Sequence, residues 1–119
     1  MTNDHADVQA LLPLPSVTFH ILIAVSQGPC HGYAIIQDVE SRTTGALRMG
    51  AGTLYRSIAR MVEQGLLAET TKRPAHGDDE RRRYYRITPF GTAVARAEMR
   101  RLTNLVQLAR ASGLTPESP

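Results

Sequence analysis

Apolar side chains recur along the chain at helical and strand-like spacings, which predict four helices and two strands. The first helix is predicted over Val17–Gln27, where it is apolar nearly all round, as is typical of a buried helix. Ser16 is expected to cap it. A second helix is predicted over Gly32–Ser41, and a third over Gly50–Gln64.

The third predicted helix has one apolar side and one polar side. At 100° per residue, Thr53, Arg56 and Arg60 gather opposite the apolar residues. Arginine's planar fork suits phosphate oxygens and guanine edges, so this polar side is a candidate nucleic-acid reading surface. The alternative is a solvated helix face. The apolar side comprises Leu54, Ile58, Met61 and Val62.

Two strand-like segments follow, over Leu66–Lys72 and Arg81–Ile87, and the loop Arg73–Glu80 separates them. Together they predict a hairpin whose return strand is rich in arginine. These arginines either keep an edge strand from aggregating or contact phosphates. The residues concerned are Arg81, Arg82 and Arg83.

A long final helix is predicted from Thr88, its cap, to about Ser112, with Pro89 at the first position. Its apolar residues repeat at alternating steps of four and three, which is the seam of a coiled coil, although Glu98 falls inside the stripe. One domain cannot cover so much apolar surface, so a partner helix is expected. The predicted dimer interface comprises Ala95, Met99, Leu102, Leu105, Val106 and Ala109.

Composition and charge refine this picture. The chain has 119 residues, 42% hydrophobic and 21% charged, which fits one globular domain. Its net charge of +3 is unevenly spread: residues 1–41 carry −4, residues 42–86 carry +5 and residues 87–119 carry +2. A basic middle segment favours a polyanionic partner such as nucleic acid.

Several classes of protein are not expected. The longest apolar run, Ile21–Val25, is too short to span a membrane, and the start lacks the basic segment of a secretory signal. Cys30 is the only cysteine, so a cytoplasmic location is expected. Cys30 and the adjacent His31 make too few ligands for zinc, and we expect His31 to bond to backbone at a helix start. No metal or cofactor is predicted.

An enzyme is not expected either, because no catalytic Ser-His-Asp set, paired carboxylates or Walker lysine pattern is visible. A winged-helix module that binds protein or RNA is the alternative to DNA binding. The adjacent Tyr84 and Tyr85 point to opposite strand faces, so they cannot form one platform for stacking RNA bases.

The order helix, helix, helix, strand, strand, long helix is that of a winged helix-turn-helix. The predicted fold class is therefore mainly α with a small β-hairpin, plus a long C-terminal dimerisation helix. The predicted parts are a flexible N-terminal arm (1–15), a DNA-binding domain (16–88), a dimerisation helix (89–112) and a flexible tail (113–119).

Five short motifs occur in order at spacings that resemble the PadR family of bacterial transcriptional regulators. The resemblance covers about residues 14–112 and implies a homodimer that binds an inverted-repeat operator, usually as a repressor. It also implies release from DNA in response to a small molecule or stress. The motifs are His31-Gly32-Tyr33, Gly52-Thr53-Leu54-Tyr55, Gly65-Leu66-Leu67, Arg83-Tyr84-Tyr85-Arg86-Ile87-Thr88 and Gly91.

The resemblance adds candidate contacts. Tyr33 and Tyr55 each have a hydroxyl for a DNA phosphate, the alternative being core packing, and Ser57 joins the DNA-contacting set. An effector cavity is expected between the domain and the long helix, lined by Phe19, Leu102, Val106 and the segment Val8–Leu12.

The chain departs from the family pattern in three places. Gly50 stands where Ser or Thr often caps the reading helix, and Arg56 stands where many members have proline. Tryptophan is absent, so no effector pocket can use indole stacking.

Overall fold

The computed structural model describes residues 5–71 and 82–116, and within them five helices flank a small antiparallel sheet. This confirms the predicted class, mainly helical with a hairpin. The helices are α1 (His5–Ala10), α2 (Ser16–Val25), α3 (Gly32–Arg42), α4 (Ala51–Glu63) and α5 (Pro89–Ala111); the strands are β1 (Cys30–His31), β2 (Leu67–Thr70) and β3 (Tyr84–Ile87).

The sheet has the strand order β1-β3-β2, so the predicted hairpin of β2 and β3 is extended by a third strand. In β1, Cys30 lies opposite Tyr85 and His31 lies opposite Tyr84. Two residues are too few to show an alternating pattern, so this strand is not predicted from the sequence. We call the β2–β3 hairpin, with Arg82 and Arg83 that precede β3, the wing. Because β1 pairs with β3, the start of α3 is held directly against the wing.

The core lies where α2, α3 and α4 pack together. Ile21, Ile35 and Leu54, one from each helix, are fully buried. The predicted apolar side of α4 is confirmed for Leu54 and its neighbours one and two turns along, but not for Val62, which is 41% exposed. Val62 sits at the edge of the apolar side, close to where α4 ends.

The helix starts differ in how well they were predicted. Thr88 caps α5 as expected, since its Oγ1 accepts the Gly91 N–H at 2.9 Å. The predicted cap of α2 is wrong: Pro15 occupies that position without a side-chain bond, and Ser16 is already helical. The extended backbone of Pro15 presents its carbonyl to the Phe19 N–H, so the helix begins one residue earlier.

Residues 5–15 are the described part of the predicted N-terminal arm. Residues 5–10 form α1, which packs on α5 and buries Val8. The Leu14 N–H donates to Oε2 of Glu98 at 3.2 Å, which ties the segment to α5. Sequence periodicity does not reveal this bond, because its partners lie 84 residues apart.

The outer half of α5 leaves the domain. Gly91, Val94 and Ala97 are buried in its first turns, whereas residues 103–108 are all exposed. Among the residues that the structure describes, no helix is both long and apolar enough to cross a bilayer.

Candidate nucleic-acid interface

The polar side of α4 faces solvent as predicted. Thr53, Arg56 and Arg60 are all exposed, and Arg56 Nη2 lies 3.5 Å from Thr53 Oγ1 on the same face. Ser57 is half-buried beside them. Gly50 caps the helix without any side-chain bond, as its lack of a side chain requires. Arg56 and Arg60 of α4 therefore present an exposed surface of hydrogen-bond donors.

A hollow of about 310 Å³ adjoins this face, where the start of α3, α4 and the wing meet. Tyr33 and Tyr55 are 57% and 51% exposed, so core packing does not account for their position. The structure thus brings together four of the predicted DNA-contacting residues from three separate elements. The hollow is lined by His31, Gly32, Tyr33, Tyr55, Arg82 and Arg83.

Gly32 allows Tyr55 to lie over the start of α3. A Cβ built on Gly32 would be 2.5 Å from the Tyr55 hydroxyl oxygen and 2.9 Å from the ring carbon that bears it. Any side chain at this position would push the tyrosine away. The glycine of the His31-Gly32-Tyr33 motif is therefore explained by sterics, because it leaves the space beside the hollow that the Tyr55 ring occupies.

His31 has the structural role expected for it and a further contact. Its Nδ1 accepts the Ala34 N–H at 3.1 Å and so caps α3. Its ring packs edge-on to Tyr84, with centroids 5.3 Å apart. On the other side of the ring, Nε2 lies 2.8 Å from Nη1 of Arg82. His31 thus connects the helix-turn-helix to the wing.

The described part of the wing carries exposed arginines, including Arg82 and Arg83. Arg83 Nε lies 3.9 Å from Glu69 Oε1 across the hairpin, and both side chains are largely exposed. An exposed pair of this kind contributes little stability. Arg82 is exposed as well, whereas Arg81 lies outside the described residues.

The remaining chemistry near the hollow is structural. Burial, and secondarily the charge of Asp38, raise the pKa of the Cys30 thiol, which lies 3.5 Å from the carbonyl oxygens of Ala24 and Gly28. A thiol held protonated in this way is a poor nucleophile. In residues 5–71 and 82–116, no three His, Cys, Asp or Glu side chains are grouped to hold a metal.

The predicted effector residues do not lie together in the single chain. Phe19 lines an apolar groove of about 590 Å³ between α2 and α5, together with Met99 and Ala95. Leu102 and Val106 instead border a separate hollow of about 390 Å³ farther along α5.

The predicted dimer residues follow one stripe of α5. Met99, Leu105 and Val106 are 59%, 54% and 51% exposed. The other three, Ala95, Leu102 and Ala109, are half-buried.

The family model of the PadR-like transcriptional regulators matches residues 21–97, which is more than half of the chain. The match runs from α2 into α5 and contains both the arginine face and the hollow. The chain belongs to the PadR-like family of transcriptional regulators.

Two curated relatives share part of this PadR-like sequence. It is 33% identical over 98 residues to an uncharacterized 37.1 kDa protein of a Streptomyces fradiae transposon, covering 82% of the chain but 24% of that protein. The chain is 30% identical over 92 residues to the transcriptional regulator Rv3488 of Mycobacterium tuberculosis, and the match covers 77% of this chain and 80% of that regulator. The chain thus spans about a quarter of the first relative and most of the second.

The fold is shared with PadR of Bacillus subtilis, whose structure was solved in complex with operator DNA. The TM-score is 0.60 at 14% identity, over 71% of this chain and 47% of that one. The likeness confirms the winged-helix architecture of this PadR-like chain.

Two features of the PadR-like site escaped the sequence analysis. His31 was assigned only to the helix start, and its contact with Arg82 depends on the unpredicted strand β1. Gly32 was recognised as part of a motif without a physical role. The one available signal was the adjacency of a histidine, a glycine and a tyrosine at a helix start.

Proposed function

We propose that this PadR-like protein is a homodimeric repressor that binds an inverted-repeat operator and leaves it when a small molecule or stress signal acts. The observation that carries the proposal is the exposed arginine face of α4 with the arginine-lined hollow beside it. In this proposal Thr53, Arg56 and Arg60 enter the major groove. The backbone phosphates are held by Tyr33, Tyr55, Ser57, Arg81, Arg82 and Arg83.

The decisive experiment is selection of bound duplexes from a random pool by the purified protein. We expect two inverted half-sites whose centres are about one helical turn, roughly 34 Å, apart. Enrichment of a single unpaired site would contradict the dimeric mode, and no enrichment at all would contradict operator recognition.

The homodimer is supported by the outer half of α5, whose apolar stripe is left exposed by residues 5–71 and 82–116. A second α5 supplies a matching stripe, so the two helices can pair along it. Sedimentation at micromolar concentration tests this directly, with a dimer expected.

Effector binding is proposed at the apolar groove between α2 and α5, which is bordered by Phe19 and Met99. A ligand seated there contacts both the reading domain and the dimerisation helix, so it can change their relative position. Compounds that raise the melting temperature of the protein should also release a bound duplex. Thr92→Leu, which narrows the groove from a position outside the predicted dimer interface, should abolish both effects.

RNA binding by base stacking is disfavoured by the burial of Tyr84 and Tyr85, which are 2% and 6% exposed. Neither ring offers a free face for a base. In a competition between duplex DNA and RNA of equal length, we expect the DNA to win. Preference for the RNA would favour the alternative module.

A further inference from the structure

The side chain of Arg56 is folded back along the first turn of α4. Its Nη2 lies 3.5 Å from Thr53 Oγ1, three residues earlier on the same face. Its other terminal nitrogen, Nη1, would lie 3.3 Å from a Cβ built on Gly52. The guanidinium therefore lies beside both positions, and the missing side chain of Gly52 leaves room for it.

The bond to Thr53 uses only a small part of what the guanidinium offers. A guanidinium has five N–H donors and no acceptor. One N–H of Nη2 donates to Thr53, which leaves one hydrogen on Nη2 and two on Nη1 for another partner. The first turn of α4 has no acidic residue, and in residues 5–71 and 82–116 no carboxylate forms an ion pair with Arg56. Since Arg56 is exposed, the outer edge of its planar fork is open to a ligand.

We propose that Thr53 is a positioning residue that holds the fork of Arg56 for a guanine in each operator half-site. The inference rests on the proposed function and deepens it, because it names a base and separates the roles of two residues. Two parallel N–H groups match the O6 and N7 acceptors of guanine in the major groove. The other three bases do not present two acceptors side by side there, so the fork selects guanine.

Thr53 contributes by restricting the arginine, not by contacting a base. An exposed arginine has several rotatable bonds, and ordering it on a base costs conformational entropy. A bond to Thr53 that forms before DNA arrives limits the orientations of the fork, so less entropy is lost when the guanine binds. Because this bond is long and exposed, its effect is smaller than that of the arginine itself.

The guanine is located by selecting duplexes with the wild-type protein and with Arg56→Ala in parallel. We expect a guanine in each half-site of the wild-type operator, and loss of that preference in the variant. The operator is then synthesised with 7-deazaguanine at this position, which keeps O6 but replaces the N7 acceptor by a C–H group. Wild-type binding should weaken about tenfold on this analogue, whereas Arg56→Ala should bind both operators equally.

The role of Thr53 is tested with Thr53→Val, which keeps the branched shape but lacks the hydroxyl. Thr53→Ser keeps the hydroxyl and is the matched control. Thr53→Val should weaken operator binding about threefold and should reduce the discrimination against 7-deazaguanine, while Thr53→Ser should preserve both. Added to Arg56→Ala, Thr53→Val should cause no further loss, since it acts through the arginine. Both side chains are exposed, so melting temperatures should stay close to that of the wild type.

The outcomes separate this inference from the function beneath it. Wild-type protein that enriches no sequence would overturn the proposed function itself. An enriched operator in which Arg56→Ala relaxes no guanine would overturn only the assignment of the base. The positioning role would be overturned if Thr53→Val kept full discrimination against 7-deazaguanine. It would also be overturned if Thr53→Val lost further affinity in the Arg56→Ala background, because Thr53 would then contact the DNA independently.

Discussion

Glu98 lies in the apolar stripe of α5, yet it is 2% exposed and stabilises the fold rather than disturbing it. Its carboxylate accepts from Arg101 Nε at 2.6 Å and from the Leu14 N–H at 3.2 Å. The bonds from Arg101, aided by the Leu14 N–H, outweigh the effect of burial and hold the pKa of Glu98 below its ordinary 4.5.

This shift predicts a pH-dependent stability. Since the pKa of Glu98 is lower in the folded state, its contribution is complete above about pH 4.5 and is lost as pH falls through the folded-state value. Glu98→Gln should lower the free energy of unfolding at neutral pH by about 1–2 kcal/mol. Thermal melts should show this difference shrinking in acid. A difference that stays constant down to about pH 3 would contradict the role assigned to the charge.

Two glycines should respond oppositely to the same substitution. A Cβ on buried Gly91 would run into the carbonyl oxygen of Leu66 and reach 3.0 Å from Ile87 Cγ1. Because backbone cannot yield cheaply, Gly91→Ala should destabilise by about 1–3 kcal/mol. Gly52 is exposed on α4, where a Cβ meets only the flexible end of Arg56 at 3.3 Å.

Gly52→Ala is therefore the matched control and should stabilise the protein by up to about 1 kcal/mol. Urea unfolding of both variants tests the pair. If both substitutions changed the free energy of unfolding equally, the close approach of α5 to Leu66 would not constrain Gly91.

At the scale of elements, α4 has the clearest prediction. If Arg56 contacts a base, Arg56→Ala should weaken the binding free energy for a selected operator by about 1–3 kcal/mol. The loss on an unrelated duplex should be smaller. Arg100→Ala, which removes the same charge from exposed α5, should leave the difference between the two DNAs unchanged. Titrations on both duplexes measure this difference, and equal losses for Arg56→Ala would limit the residue to phosphate contact.

How far the sequence predicts these elements depends on the range of the interactions that form them. The core side of α4 and the cap at Thr88 are local patterns, within one or two helical turns, and both were predicted. The strand β1 exists only because β3 pairs with it, more than 50 residues later. The bond that ties Leu14 to α5 depends on Glu98, which the coiled-coil pattern marked as an anomaly.

The same distinction applies to the candidate site. The exposed arginines of α4 follow from helical periodicity, so their common face was predictable. The meeting of His31 with Arg82 was not, since it requires the pairing of β1 with β3. Sequence spacing predicts which side of a single helix or strand is exposed. It does not predict the hollow, because the hollow lies between α3, α4 and the wing.

At the scale of the whole molecule, the outer half of α5 is the feature that a single chain does not explain. Within the described part of the chain residues 103–108 are all exposed, and among them Leu105 and Val106 are apolar and about half exposed. Apolar area of this extent is costly in water, and a second α5 removes it from solvent.

Val106→Glu should therefore convert the proposed dimer to a monomer without unfolding it, because this part of α5 is not packed on its own domain. Leu114→Glu is the matched control: Leu114 is 67% exposed and lies beyond the end of α5. Sedimentation should give a monomer for the first variant and a dimer for the second. Since two linked α4 helices bind an inverted repeat far more tightly than one, Val106→Glu should lose operator affinity but keep most of its weak binding to unrelated duplex. A dimer that survives Val106→Glu with unchanged affinity would mean that the subunits associate through another surface.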